Sequence, residues 1–400
     1  MELTNLAFTA EELMSLRAET PGTEYVVHLN NAGAALMPQP VAQVVQDYLD
    51  QELLYGGYET AAKHQQLIES VYNLVARYLG CDPSEIALME NATVAWGQAF
   101  QAIPFEPGDI ILTSMAEYAS NYIAFLQLKK RIGVEIKAIP SDEFGQVDIH
   151  ALAKLMTPKV KLIAITHVPT NGGLVNPAKA IGDIARQHQV YYLLDACQSV
   201  GQMPLNVKEI GCDFLSATSR KYLRGPRGLG FLYVNQNRLP SLEPPVLDLH
   251  AATWQSKDTY LMRDDARRFE NWEFNLAAVL GLGAAVRYML DVGPDKIWDR
   301  IQYLGETLRK LLSQISGIEV HDLGQIKSGI VSFKGPFEVH QFKDKAVQSG
   351  FNVSVIRADG TLLDMESRNL HFMIRASVHY YNSLDELKRF AQFVGTYDTN

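Results

Sequence analysis

Two hydrophobic periods alternate along most of the chain. Between His64 and Gly80, the residues Leu67, Val71, Leu74, Val75 and Tyr78 recur as on one face of a helix, and the glycine supplies its stop. Asn121 to Ile132 repeats that spacing and ends at Gly133. Asp109 to Leu112 has the pattern of a short strand, and Val134 to Ile139 alternates apolar with charged side chains. Val160 to Thr166 and Val190 to Leu194 are near-continuous apolar runs, as strands buried on both faces are. Pro177 to His188, between them, has the pattern of a crossover helix with proline in its first turn. This alternation predicts an α/β domain, a mostly parallel sheet with helices on both sides. After about residue 290 the pattern changes to two helices, short strands near Ile330 and Phe372, and a final helix from Leu384. That part predicts a smaller α+β unit.

Composition narrows the class without choosing a function. The 400 residues are 47% hydrophobic and carry a net charge of −9, enough apolar material for about two domains with substantial cores. An acidic balance speaks against nucleic acid or an anionic membrane as partner, because both attract an excess of Lys and Arg. Three cysteines, Cys81, Cys197 and Cys212, are too few and too scattered for a disulfide framework or a metal site. Glu2, Glu11 and Glu12 occupy the start where a signal peptide has basic and apolar residues. No apolar run approaches the ~20 residues that span a bilayer. A soluble, cytoplasmic protein without metal is the expectation.

Open parallel sheets bind ligands beyond the carboxyl ends of their strands, so the polar residues that follow each predicted strand are the candidates. Glu90-Asn-Ala-Thr93 follows one strand and opens a helix, which makes either an anion site or an ordinary cap. Asp195 ends the apolar run from Tyr191, with Gln198 three residues on. It either caps the next turn or holds a cationic ring nitrogen. Thr218-Ser-Arg-Lys221 lies between a short strand and the glycine-rich Gly225-to-Val234 stretch. With Asp195 on the neighbouring strand, Lys221 becomes a candidate Schiff-base lysine rather than a solvated one.

At these residues the chain resembles the class V aminotransferase family of pyridoxal-phosphate enzymes, on the fold-type I scaffold. The resemblance runs from His28-Leu-Asn-Asn-Ala-Gly33 to Ile374-Arg-Ala-Ser377. Asp195-Ala-Cys-Gln-Ser-Val-Gly201 and Lys221-Tyr-Leu-Arg-Gly-Pro-Arg227 are most similar to one branch of the family. That branch contains hercynylcysteine sulfoxide lyase and cysteine-desulfurase-like and epimerase-like proteins. The resemblance implies a large domain with a mostly parallel seven-stranded sheet over residues 41–285 and a small C-terminal domain over residues 286–400. It implies an N-terminal segment, residues 1–40, that packs with the small domain and the active site. The cofactor would be pyridoxal 5'-phosphate and the assembly a homodimer with active sites at its interface.

The same resemblance assigns roles. Lys221 would carry the cofactor and then move protons at the substrate α-carbon. Asp195 would pair with the pyridinium nitrogen, and Gln198 would bond the ring's phenolic oxygen. Ala92, Thr93, Thr218 and Arg220 would grip the phosphate. Tyr118, in Ala116-Glu-Tyr-Ala-Ser-Asn121, would stack on the ring where relatives use His. One of Thr170 and Asn171 would approach the ring oxygen. Arg375 would bind the carboxylate of an α-amino acid, the alternative being a structural ion pair. Asn31, Ala32 and Gly33, on a loop that starts at Asn30, would close over that carboxylate.

Two departures bear on the reaction. The stretch Arg357-Ala-Asp-Gly-Thr-Leu-Leu-Asp364 has no cysteine where desulfurases carry their nucleophile. Arg268-Phe-Glu-Asn-Trp-Glu273 replaces a Gly-Thr that reaches the partner's phosphate. Trp272 then lines the neighbouring substrate pocket or serves as interface core. The expected activity is a lyase acting through an external aldimine and Cα deprotonation, with C–S β-elimination from a cysteine-type substrate. An epimerase or racemase is second, an aminotransferase third, and a catalytically silent binding protein the non-enzyme alternative.

Overall fold

The computed structural model describes residues 7–397, so Glu2, used in the signal-peptide reading, lies outside the described residues. Seven strands form the main sheet: β1 (Ile86–Met89), β2 (Ile110–Ser114), β3 (Glu135–Ile139), β4 (Val160–Thr166), β5 (Tyr191–Asp195), β6 (Phe214–Thr218) and β7 (Gly230–Val234). Their spatial order is β1-β7-β6-β5-β4-β2-β3. β7 runs antiparallel to both neighbours, and the other four pairings are parallel. The continuous apolar runs sit in the middle of the sheet, with every residue of β5 and β6 buried. The alternating run, β3, is the edge strand, exposed at Glu135 and Lys137. Separate apolar cores lie against the sheet. One is built around Val75, Ile163 and Leu215, and the other around Trp96, Phe125 and Leu193.

Helices α1 (Gln39–Tyr55), α2 (Gly57–Leu79), α3 (Ala92–Ala102), α4 (Ala119–Ile132) and α5 (Ala178–Gln187) accompany the sheet. The helix expected from His64 begins at Gly57. Only Gly56, at φ 90°, separates it from α1, so Leu54 to Glu59 is a tight helix–helix corner. Helix α6 (Leu276–Val292) is followed directly by α7 (Pro294–Ser313). The C-terminal sheet is antiparallel and contains β8 (Glu319–Val320), β9 (Ile330–Lys334), β10 (Ser354–Arg357) and β11 (Phe372–Ser377), in the order β8-β9-β11-β10. Helices α8 (Val339–Gln348) and α9 (Leu384–Gly395) complete this part. The expected order, two helices and then strands, is corrected here: α8 lies between β9 and β10. β8 and β10 are short edge strands with little apolar patterning to announce them.

Two features bring distant segments to one place. Val27–His28 pairs in parallel with Phe351–Asn352, and Asn30 bridges to Ser377 on β11, so the N-terminal segment lies beside the C-terminal sheet. At Gly230 a Cβ would stand 2.3 Å from the Ala217 carbonyl and 3.2 Å from the Ala92 nitrogen. The bare glycine therefore lets the start of β7 pass between β6 and the first turn of α3.

Candidate active site

Five strands of the main sheet end in the same region, and each hands over one part of the site. β1 leads into α3, whose first residues are Ala92 and Thr93. Asn91 caps the helix by accepting from the Val94 N–H at 3.0 Å. Asn91 thus caps the helix, and the other first-turn N–H groups are left pointing out of the helix end, free for an anion. β2 leads to Tyr118, β4 to Thr170, β5 to Asp195 and β6 to Lys221.

Asp195 is buried at 6% exposure. Its Oδ1 accepts from the Cys197 backbone N–H at 3.0 Å, and its Oδ2 accepts from Asn121 Nδ2 at 3.0 Å. It thus caps the next turn, but among the described residues no cation pairs with it. Lys221 likewise makes no ion pair or side-chain hydrogen bond among the described residues. Removal from solvent lowers its pKa, with Arg220 and Arg375 acting in the same direction and Cys197 and Asp195 opposing. Gly201, at φ 80°, makes this juxtaposition possible, because a Cβ there would lie 2.4 Å from the Leu223 nitrogen.

Arg375, on the central strand β11, is also buried. Its Nη1 donates to the Thr170 carbonyl at 3.0 Å and to Thr170 Oγ1 at 2.8 Å, and its Nη2 donates to Asn30 Oδ1 at 3.2 Å. Nε has no partner, and no carboxylate answers the charge. The structural ion pair considered for this residue is absent among the described residues. Burial lowers its pKa to about 10, with Arg220 adding to the shift. Gln198 donates to the Ala32 carbonyl at 3.1 Å and to Thr170 Oγ1 at 3.3 Å, while its buried Oε1 is left without a partner.

The remaining candidates separate into two groups. Arg220 donates to the Gly33 carbonyl, and Thr218 is buried at the end of β6. Tyr118, 37% exposed at the start of α4, lies within electrostatic reach of Arg220 and Arg375. Thr170 faces this cluster. Asn171 turns away, donating to Thr361 Oγ1 at 2.9 Å and to the Arg357 carbonyl at 3.3 Å. The loop at Asn30–Gly33 meets Arg375 through Asn30. The side chain of Asn31 is fully buried, donating to the His28 and Ser377 carbonyls and accepting from Tyr381, so it is a structural anchor. Ala32 and Gly33 contribute carbonyls. Trp272 is exposed, and its backbone N–H donates to Asp248. No contact joins it to the Lys221 cluster within the described chain.

Sequence reasoning missed Glu117 and Asn121. The Asn121 amide donates to Glu117 Oε1 at 2.8 Å and to Asp195, linking two buried carboxylates. Glu117 also accepts from Thr113 Oγ1, from the Tyr118 and Thr166 N–H groups and from Thr166 Oγ1. Burial raises its pKa to about 7, the donors acting against the shift and Asp195 adding to it. The only sequence signal was a Glu and an Asn one helical turn apart, just beyond a strand.

The residues present fit a group with an aldehyde, a cationic ring nitrogen and an anionic tail. Lys221 offers a free amine with lowered pKa, Asp195 an uncompensated carboxylate, and α3 with Arg220 an anion cradle. The family model described as Aminotransferase class-V matches residues 27–390. A protein of Methanothermobacter thermautotrophicus named a probable cysteine desulfurase is 29% identical over 384 residues, covering 93% of this chain and 95% of that one. The apo structure of cysteine desulfurase from Thermococcus onnurineus NA1 superposes with a TM-score of 0.89 at 25% identity, covering 96% and 97% of the two chains. The cystine C-S lyase C-DES, in complex with cysteine persulfide, shares the fold at a TM-score of 0.85 and 22% identity, over 94% and 99% of the chains.

Titration of Glu117 has a definite sign. Its folded pKa lies above that of the unfolded chain, so the native state holds the extra proton between the two values. Stability therefore falls as pH rises through that window toward about 7. In ligand-free protein, Glu117→Gln removes this titration. Its urea-unfolding free energy relative to the parent should shift in the variant's favour by about 1–3 kcal/mol between pH 5 and 8. A difference that does not change with pH would show that Glu117 does not titrate in this range.

Proposed function

Since this chain belongs to the class V aminotransferase family, we propose that it is a pyridoxal 5'-phosphate-dependent C–S β-lyase acting on a cysteine-type α-amino acid. One observation carries the reading. Lys221, Asp195 and Arg375 converge at the carboxyl edge of the sheet, Asp195 and Arg375 buried and Lys221 partly so, and among the described residues none of them forms an ion pair.

When bound, pyridoxal 5'-phosphate supplies an electron sink that makes the Cα–H and Cβ–S bonds of an amino acid breakable. The chain's own residues do the rest. The first turn of α3 at Ala92 and Thr93, with Thr218 and Arg220, would hold the phosphate. Asp195 would pair with the positive charge of the ring nitrogen, and Asn121 fixes the direction of that carboxylate. Tyr118 would stack on the ring, and Gln198 would bond its phenolic oxygen, with Thr170 beside it. Arg375 takes the substrate carboxylate through its fork, held in place by Thr170 and Asn30. The Lys221 amine, its proton affinity lowered by burial, would take the proton from the substrate α-carbon and give it to the departing sulfur.

Elimination is favoured over sulfur relay to a protein thiol. The 357–364 segment borders Asn171 and carries no cysteine. Burial pushes all three thiols up, Cys81 to about 12, and Asp195 adds to the shift at Cys197. None is a ready thiolate.

The homodimer reading is supported by exposed apolar side chains. Leu49, Leu53, Leu54, Tyr55 and Tyr58 project from the α1–α2 corner, and Trp254, Tyr260 and Leu261 from the hairpin at residues 252–262. Trp272 and its neighbour Glu273 lie open beside Asp248, next to that hairpin. Surfaces of this kind on a soluble chain mark association.

Protein purified with pyridoxal 5'-phosphate should absorb in the visible, and borohydride should abolish the band and attach the cofactor to Lys221. A colourless protein that added cofactor leaves unchanged contradicts the enzyme reading. Cysteine conjugates should yield pyruvate and ammonia, whereas racemised substrate without pyruvate would mark an isomerase. Arg375→Ala should keep the cofactor absorption and raise KM about 30-fold or more, the cost of removing one side of a buried charge pair. Equal loss of cofactor would refute the carboxylate role. Light scattering should give twice the mass of the chain, and a monomer at micromolar concentration would exclude the dimer.

A further inference from the structure

Beside the site, between α4 and the segment that replaces the desulfurase nucleophile loop, is a cavity of about 220 Å³. Met115, Tyr122, Ile123 and Leu126 form one wall and Leu362 and Leu363 the other. Among the described residues its ionisable lining side chains are Glu117 and Asp359, both acidic. We propose that this cavity receives the sulfur substituent of the substrate, and that the substituent is a neutral, apolar alkyl or aryl group. The proposal rests on the C–S lyase reading and adds the substrate class to it.

Position supports the assignment from both sides. Glu117 and Ala119, which flank Tyr118, both line the cavity, and Tyr118 is within electrostatic reach of Arg375. Leu362 directly follows Thr361, the hydrogen-bond partner of Asn171. Asn171 in turn follows Thr170, which holds Arg375. The assignment places the side chain of a substrate anchored by its carboxylate on Arg375 past Tyr118, toward this opening. The lining chemistry then selects. The Glu117 oxygens are already met by Thr113, Thr166, Asn121 and Tyr118, and no basic side chain lines the space. An anionic or zwitterionic substituent would meet acid and hydrocarbon with no basic partner, whereas an uncharged apolar one needs no partner and packs against the hydrocarbon. Ile123 and Leu362 are 63% and 48% exposed without an occupant, apolar surface that such a group covers. A cavity of ~150 Å³ lined by aliphatic side chains accommodates benzene, so this one has room for a benzyl group.

The reaction balances without an oxidant. The Cα–H and Cβ–S bonds break, and sulfur leaves with the bonding pair and takes up a proton as the free thiol. Water hydrolyses the three-carbon remainder to pyruvate and ammonium.

The test compares S-benzyl-, S-methyl- and S-sulfo-L-cysteine as substrates of the holoenzyme. It also uses calorimetric Kd values for the first two on cofactor-loaded Lys221→Ala. We expect kcat/KM for the benzyl conjugate to exceed that for the methyl conjugate about tenfold or more, with the anionic conjugate below both. Leu362→Asp should collapse the benzyl-to-methyl ratio, and Leu126→Glu, on the opposite wall, should do the same if the first variant does not fold. A ratio near one, or a preference for the anionic conjugate, with pyruvate still formed overturns the cavity assignment and leaves the lyase reading standing. No pyruvate from any conjugate overturns the lyase reading. The Kd values then decide the cavity: equal values overturn it, and tighter benzyl binding supports it. A change of oligomeric state in either variant, with the ratio intact, makes this face an interface and overturns the proposal.

Discussion

Asp195 brings a carboxylate into the interior at the end of a fully buried strand, and among the described residues it is met by neutral N–H donors and by no ion-pair partner. Leaving a buried charge without an opposite charge costs several kcal/mol, so the arrangement persists only where something else offsets it. Lys221 and Arg375 repeat the situation with opposite sign. The three charges lie close together without forming an ion pair among the described residues, and the hydrogen bonds of Asp195 and Arg375 go to neutral groups. A ligand with an aldehyde, a cationic ring and a carboxylate-bearing substrate satisfies them together, which explains why the surrounding structure is built to hold them apart.

Holding them apart depends on chain segments far apart in sequence. Arg375 is positioned by Thr170 from the main sheet and by Asn30 from the N-terminal segment. The second contact exists because Val27–His28 and Asn30 add to the C-terminal part of the molecule as strands. Close backbone approach completes the frame. Gly201 lets the loop after β5 touch the loop that carries Lys221, and Gly230 lets β7 enter beside the first turn of α3. Side chains at either glycine would separate the ring-nitrogen site from the amine or the anion cradle from the sheet.

How far the sequence shows this follows from the same physics. Continuous apolar strands such as Val160–Thr166 are legible because burial on both faces leaves a pattern in composition. The residues beyond their carboxyl ends are legible because the fold class says where to look. Edge strands β8 and β10 leave no such pattern. Asn30 and Asn31 are adjacent amides that composition cannot tell apart. Only the bridge to Ser377 turns one toward Arg375 and buries the other. Thr170 and Asn171 separate for the same reason, since the contact with Thr361 lies 190 residues away. Glu117 is legible only as a polar residue after a strand. Its partnership with Asp195 passes through the side chain of Asn121 and exists only in three dimensions.

The absence of a cysteine from the 357–364 segment has a different meaning once the surroundings are known. A protein thiol that accepts sulfur must be a thiolate within reach of the substrate. Cys197 is near Lys221 in space, but burial and the adjacent Asp195 both raise its pKa, and they act on it because it belongs to the motif that holds the ring nitrogen. Ionising it would place a second negative charge beside Asp195, opposing the function of that motif. Sulfur released here has no protein acceptor, so it leaves with whatever group it already carries. The side of the site where that group departs is hydrocarbon and acid, and the chemistry of the missing thiol and the chemistry of the cavity wall therefore point to the same kind of substrate.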